Sequence, residues 1–431
     1  MTARLLRRRA VCISLLLISS AGCSSELTYG RLRDAGGLVL VDAQTERDAD
    51  SASPPDARSS DLCSRRGPLL ELGDFAPAAC GTTSRGFHYA LAACEGFVSS
   101  GLTEVDGFDS RIAPYVAGQH SGALAAGNGL YLTTGDIGGS VWITGSAGTP
   151  LTGDLTVGGN LFDEGPLQGP EHTVTVAGDA HVAGDVRLAE LRVGGRFTLG
   201  RAAALEVAAG APPVTRADVV VPKPASCDAP LDIASLTEAA SRDNDNTSIA
   251  LEAASSLKLF DAQRELSLPC GRYYVEDIYA AGALTVRIRG HVVLYVRNGI
   301  VVESTGALTI RLDDEAELDL FVQQGISGLG PVQIGSPSAP THTRLHFGVT
   351  GPLNFSAKAM FAASLYAPRA QLVAHSGFEL FGAGLLQSVA SGPLTLHYDR
   401  ALAVDSCAAA RCSTNADCPS NLRCDALHCL P

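Results

Sequence analysis

The chain has 431 residues, 46 glycines and a formal net charge of −13, with three lysines only, Lys223, Lys258 and Lys358. So acidic a chain repels phosphate backbones, which excludes nucleic acid as a partner. Its length is enough for a large core, and no stretch is long and greasy enough to be read as a membrane-spanning helix.

The first segment carries Arg4, Arg7, Arg8 and Arg9 ahead of the apolar run Ala10–Ile18. That is a charged n-region followed by an h-region too short to span a bilayer. Ser20-Ala21-Gly22-Cys23 closes it and resembles the lipobox of bacterial lipoproteins, although Ser20 stands where that family favours a large aliphatic residue. The resemblance implies cleavage before Cys23, lipidation of Cys23, and export. Ser24 after the cysteine implies the outer membrane or cell surface of a Gram-negative bacterium. Loss of residues 1–22 removes four arginines and no acid, so the mature net charge becomes −17.

Residues 23–60 are polar and acidic, with Asp48, Asp50 and Pro54-Pro55 and little apolar pattern. They read as a tether that lifts a folded body off the headgroups. Residues 61–226 read as a Gly-rich β region with an N-terminal disulfide cap. Its short alternating units, among them Val141-Trp142-Ile143, Leu155-Thr156-Val157, Val186-Arg187-Leu188 and Phe197-Thr198-Leu199, are bounded by Gly-Asp or Gly-Gly. Dense, short, glycine-bounded strands predict an all-β fold of the β-solenoid kind. At roughly 20 residues per turn, the two β segments supply about 12 turns.

Residues 227–270 break that pattern. Ile233, Leu236, Ala239 and Ala240 fall at helical spacing, Ile249 and Leu257 lie in an alanine-rich stretch of similar character, and Asp243-Asn244-Asp245-Asn246 suits a turn and a helix cap. We expect a small helical insert closed by a disulfide. Asp243 and Asp245 open like a calcium loop, but Ser248 and Ala254 stand where that loop needs glycine and glutamate, so turn and cap is the reading. Residues 271–402 form a second β half, with alternation predicting one buried and one wet face. The helical insert and the Cys-rich tail, 403–431, are the candidate end caps.

Ten cysteines remain beyond Cys12 and Cys23, an even number suited to disulfides outside the cytosol. The candidates are Cys80, Cys94, Cys227, Cys270, Cys412, Cys418, Cys424 and Cys429, with Cys80–Cys94 and Cys227–Cys270 as the expected pairs. The stretch Leu268-Pro269-Cys270-Gly271-Arg272-Tyr273-Tyr274, then Ala316–Val322, Leu365-Tyr366-Ala367-Pro368 and His397-Tyr398-Asp399 resemble an uncharacterised family of bacterial surface lipoproteins. The resemblance covers roughly residues 228–402 and implies a right-handed β-solenoid-like fold, an exported location and no activity. The repeats near 150–200 are similar, less specifically, to polymer-forming bactofilin-like proteins. The tail Cys412–Cys429 is similar to short Cys-rich modules that are knots of two disulfides.

Nucleophile and phosphate-loop signatures are missing, so no catalytic residue is assigned and no cofactor is expected. Asp313, Glu315, Glu317 and Asp319 alternate, and on one strand they would share a face with i, i+2 neighbours about 6.6–6.8 Å apart. That spacing overlaps the carboxylate pair of inverting glycosidases; the four are also the candidate metal ligands, against a reading as a solvated acidic rim. His342 and His346 would lie on one wet face, too far apart to share a metal. His397, Tyr398 and Asp399 read as a structural polar clasp. Tyr273, Tyr274, Tyr279 and Tyr295 are candidates for a sugar platform, with core and rim packing as the preferred reading.

The function expected is a lipid-anchored surface structural or adhesive β-solenoid without catalysis. The alternatives are a polysaccharide-active β-helix lyase or hydrolase, and a carbohydrate-binding module. The expected partners are the membrane, through the lipid, and a cell-surface polysaccharide or another surface protein.

Overall fold

The computed structural model describes residues 59–64, 67, 87–118, 122–221, 223, 227–228, 230–259, 263–404, 423–425 and 428–430. Cys23, the tether, Cys80, Cys412 and Cys418 lie outside the described residues. The described chain is mostly β-strand with few helices, and every strand pairing is parallel except one antiparallel hairpin, Arg423–Asp425 with His428–Leu430, whose register sets Cys424 opposite Cys429.

In the N-terminal half, successive partner strands from Leu124 to Val214 lie 17 to 20 residues apart in sequence. Leu124 pairs with Val141, Val141 with Leu161, Leu161 with Ala180, Ala180 with Phe197 and Phe197 with Val214. Several strands are longer than the sequence pattern implied. Ala359–Ala374 and Phe378–Ser391 continue through a register shift between Ala367 and Gln371, so the chain rounds a corner without leaving the sheet. Gly382 sits within that pair at φ +131°, where a Cβ would lie 2.1 Å from the Ala363 carbonyl oxygen. Only glycine fits there.

The strand order is not the chain order. Starting from Gln263–Val275, pairing runs to Ala283–Val296, then to Glu317–Val322, Thr343–Phe347, Ala359–Ala374 and Phe378–Ser391. The next partner is Phe97–Phe108, from the start of the described chain, which pairs with both Phe378–Ser391 and Leu394–Asp399. From there the order continues through Leu130–Ile137 and Leu155–Val157 to Leu167–Val176, Val186–Val193 and Leu205–Ala209. Among the described residues the chain thus enters its sheet in the middle, runs strand by strand to one end, crosses to the other and returns.

The crossing segment accounts for the helical break in the sequence. Ile233–Arg242 is an α-helix, capped by Asp232, whose side chain accepts from Ser235 N–H. The expected continuation through Ile249 and Leu257 is instead a short 3-10 turn, Asn246–Ile249, followed by turns. One large apolar core is formed by the inward-facing residues of the strands. A second cluster lies on the outer face, where Ile233, Ala240 and Leu62 cover Tyr274, Val293, Tyr295 and Phe321. This cover corrects the expectation of a wet outer face: Glu317–Val322 and Thr343–Phe347 are buried on both faces. Their apolar content is therefore explained by burial on two sides.

Two disulfides hold the covering segments, in pairings different from those expected. Cys94 bonds Cys227 and Cys270 bonds Cys63. The expected Cys80–Cys94 and Cys227–Cys270 pairs assumed short closures. The strand order instead places Cys227 beside the first winding and brings the helix Ser59–Ser64 against Gln263–Val275.

Candidate functional site

The acidic run does not form one face. The strand starts only at Glu317; Asp313 lies before a turn in which Glu315 takes φ +59°. Asp313 accepts from Arg287 Nε at 2.5 Å on the surface. Glu317 and Asp319 do share the outer face, but that face is covered. Among the described residues no group of three or more His, Cys, Asp or Glu is arranged to hold a metal ion. The four-carboxylate site is thus corrected to two separate pieces.

The buried piece is a charge network. Asp319, fully buried, accepts from Arg344 Nε at 2.6 Å and Nη2 at 3.1 Å, and its Oδ2 lies 2.9 Å from His291 Nε2. Arg344 Nη2 also donates to Glu317 Oε2 at 2.7 Å. Gly67 N–H caps Glu317, 3.0 Å from each carboxylate oxygen, and Arg344 Nη1 reaches Thr341 O. Burial alone would raise the Asp319 carboxyl; the Arg344 charge and the bonds from His291 and Arg344 outweigh it and bring the value to about 2. A carboxylate so held is a poor proton donor, and Glu317 is bonded to the same guanidinium. The pair cannot serve as the acid and base of a glycosidase, which need one raised and one ordinary carboxyl.

His346 lies beside this network at the centre of an outer-face stack, 4.5 Å from Phe321 and 6.1 Å from Tyr366 by ring centroids. Burial lowers it to about 4, so it is neutral at working pH. His342, expected on the same face, is in the 3-10 turn Pro340–His342 ahead of the strand. The four tyrosines do not form a platform. Tyr273 points into the main core, Tyr274 and Tyr295 lie under the helix, and Tyr279 bonds Glu303. Trp142, Phe162 and His181 stack at 5.3 Å and 5.1 Å in near-parallel planes. Phe162 spends both faces within this stack, and Tyr89 meets Trp142 edge-on at 5.2 Å.

A second polar constellation sits where Phe97–Phe108 pairs with Leu394–Asp399. His397, Tyr398 and Asp399 do not bond each other; each ties the last strand to the first. His397 Nδ1 lies 2.7 Å from Asp106 Oδ1, Tyr398 OH donates to Phe87 O, and Asp399 Oδ1 accepts from Ser110 N–H. His397 Nε2 is 3.6 Å from Glu379, and Tyr115 OH donates to Asp106 Oδ2 at 2.7 Å. Burial pushes Asp106 up, but the bonds from His397 and Tyr115 and the imidazole charge hold it below the usual range. Burial and the bond to Asp106 raise the Tyr115 phenol. Within the main core, Asp163 accepts from Thr149 Oγ1 at 2.7 Å and Gly165 N–H at 2.9 Å, and burial raises it to about 7.

Sequence reasoning missed Arg344, His291, Asp106, Tyr115, Glu379, Asp163 and Cys63 as structural partners. One signal was present: Thr343-Arg344-Leu345-His346-Phe347 places two basic residues at alternate positions of an otherwise buried strand, and a charge there requires a partner.

Residues 217–404 match a domain of unknown function (DUF7305). The match begins at the end of the strand Val214–Ala217 and ends with the helix Ala401–Val404. No curated protein and no solved structure matches the chain.

Proposed function

We propose that this chain is a right-handed β-solenoid that serves by shape, as a structural or adhesive module at the outer surface of a Gram-negative cell. A lipid on Cys23 and the acidic tether hold it to the membrane. Parallel pairing at offsets near 20 residues supports the solenoid, because such short connections suit windings of a single coil. The two disulfides, each closing more than 100 residues, support an oxidising compartment. The observation that carries the non-catalytic reading is the Arg344 network: the best-spaced carboxylates in the sequence are spent on a buried guanidinium and sealed by Gly67. The partner is a cell-surface polysaccharide or another surface protein, met along the flank of the coil.

A second reading, a polysaccharide-active enzyme, draws on Asp106, Glu379, His397 and Tyr115, where two carboxylates flank an imidazole at partial exposure. One experiment separates the two. The purified chain is incubated with acidic and neutral polysaccharides and assayed for reducing ends and unsaturated products. The structural reading expects none with any substrate. Product that disappears in Tyr115→Phe or Asp106→Asn establishes the enzyme instead. For the anchor, a palmitate analogue should label the wild type and leave Cys23→Ala unlabelled; equal label on both removes the lipid from the account.

A further inference from the structure

The two ends of the sheet differ. At the Gln263–Val275 end, the crossing segment occupies the strand edge. Asp245 N–H donates to Arg272 O at 2.7 Å and Asp245 Oδ2 accepts from Arg272 N–H at 2.8 Å. The Asn246 amide bonds both backbone groups of Tyr274, at 2.7 Å and 3.0 Å, as a neighbouring strand would. Leu257 O accepts from Tyr279 N–H, and Pro269 removes a donor from the rest of that edge.

At the other end, Leu205–Ala209 pairs, among the described residues, with Val186–Val193 alone. Val186 N–H donates to Ala204 O, which fixes the parallel ladder: Glu206 and Ala208 turn their backbone groups toward that partner. Leu205, Val207 and Ala209 turn theirs away from it, and no bond from them on that side occurs among the described residues. Among the described residues nothing covers the core column here. Val186, Leu188 and Phe197 are at most 2% exposed, whereas Val214, stacked on Phe197, is 36% exposed, and Leu205 and Val207 are half-buried.

We propose that this edge joins a second copy of the chain, Leu205–Ala209 against Leu205–Ala209, antiparallel about a two-fold axis at Val207. What the open end lacks is a strand with apolar side chains at alternate positions and a free edge of its own, and the same strand of a second copy supplies both. In this register Val207 faces Val207 and Leu205 faces Ala209, while Glu206 faces Ala208, so no like charges stand directly opposite. The occupied edge at the far end stops head-to-tail growth. The assembly therefore closes at two copies and does not extend into a fibre. The inference stands on the strand pairing and is independent of the anchor and of the partner proposed above.

The test is sedimentation and light scattering of the full oxidised chain carrying Cys23→Ser, which excludes association through an acyl group. The expected species has twice the mass of one chain and runs as a single chain in denaturant without reductant. Ala208 is exposed, so charge there probes the contact with little effect on folding. Ala208→Glu, placed opposite Glu206 of the second copy, should weaken the dimer at least tenfold, and Ala208→Arg should retain it. A wild-type monomer, a filament, or equal effects of the two substitutions overturns the proposal.

Discussion

At the scale of single residues, the molecule holds two kinds of buried carboxylate with opposite pH behaviour. Asp319 is depressed to about 2, below its unfolded value of about 3.9. Its contribution is present above the unfolded value and is lost as pH falls through about 2. Replacing it by alanine leaves Arg344 buried with Glu317 as its remaining carboxylate. We expect Asp319→Ala to cost about 3–5 kcal/mol at pH 7, read by thermal or urea unfolding; a cost below about 1 kcal/mol would show that Glu317 alone satisfies the guanidinium. Asp163 is raised to about 7. Its contribution is fully present below the unfolded value, falls as pH rises, and is gone above about 7. Asparagine keeps the acceptor for Gly165 and can donate to Thr149, without the charge. Asp163→Asn should therefore match the wild type near pH 4 and exceed it at pH 8 by on the order of 4 kcal/mol. Identical pH profiles for the two proteins between pH 4 and 8 would contradict this account.

At the scale of elements, the crossing segment and the N-terminal helix act as straps, and the disulfides are their fastenings. Cys94–Cys227 closes a separation of 133 residues, for which the chain-entropy model gives about 5 kcal/mol. The double variant Cys94→Ser, Cys227→Ser should melt lower than the oxidised wild type, and the wild type after full reduction, which also opens Cys63–Cys270, should melt lower still. An unchanged melting temperature would mean that Ile233 and its neighbours hold the strap unaided. This scale also shows what the sequence made legible. Alternation and glycine spacing pointed to a strand-rich, all-β chain, and the spacing of Ile233, Leu236 and Ala240 marked the helix, because both are local patterns set by backbone periodicity. The disulfide pairs, the covered outer face and the Arg344 network were not legible. Each depends on which distant segment lies over which strand: Gly67 meets Glu317 across 250 residues and His397 meets Asp106 across 291. No local periodicity encodes such pairings, and only the basic residues inside Thr343–Phe347 signalled that a partner was required.

At the scale of the whole molecule, the matched domain is not a closed unit. Residues 217–404 end with Phe378–Ser391 and Leu394–Asp399, whose outer edges are taken by Leu91–Ala93 and Phe97–Phe108 from the other half of the chain. Without that half, two long strand edges open, and Leu386 and Val389, now buried, lose their cover. Tyr398, Asp399 and His397 lose Phe87, Ser110 and Asp106 together, which strands several buried polar groups at once. An exposed, apolar, flat edge is a template for aggregation. A fragment covering 217–404 expressed alone should therefore be recovered mainly as aggregate, while co-expression with 56–216 should return a soluble complex of the two pieces. The two halves join through parallel ladders and the Cys94–Cys227 bond, so the complex should survive gel filtration and be held covalently under oxidising conditions. A monodisperse, soluble 217–404 fragment with the melting temperature of the full chain would show that the last strands are finished without the first, and that the shared sheet is a contact between two domains instead of one continuous unit.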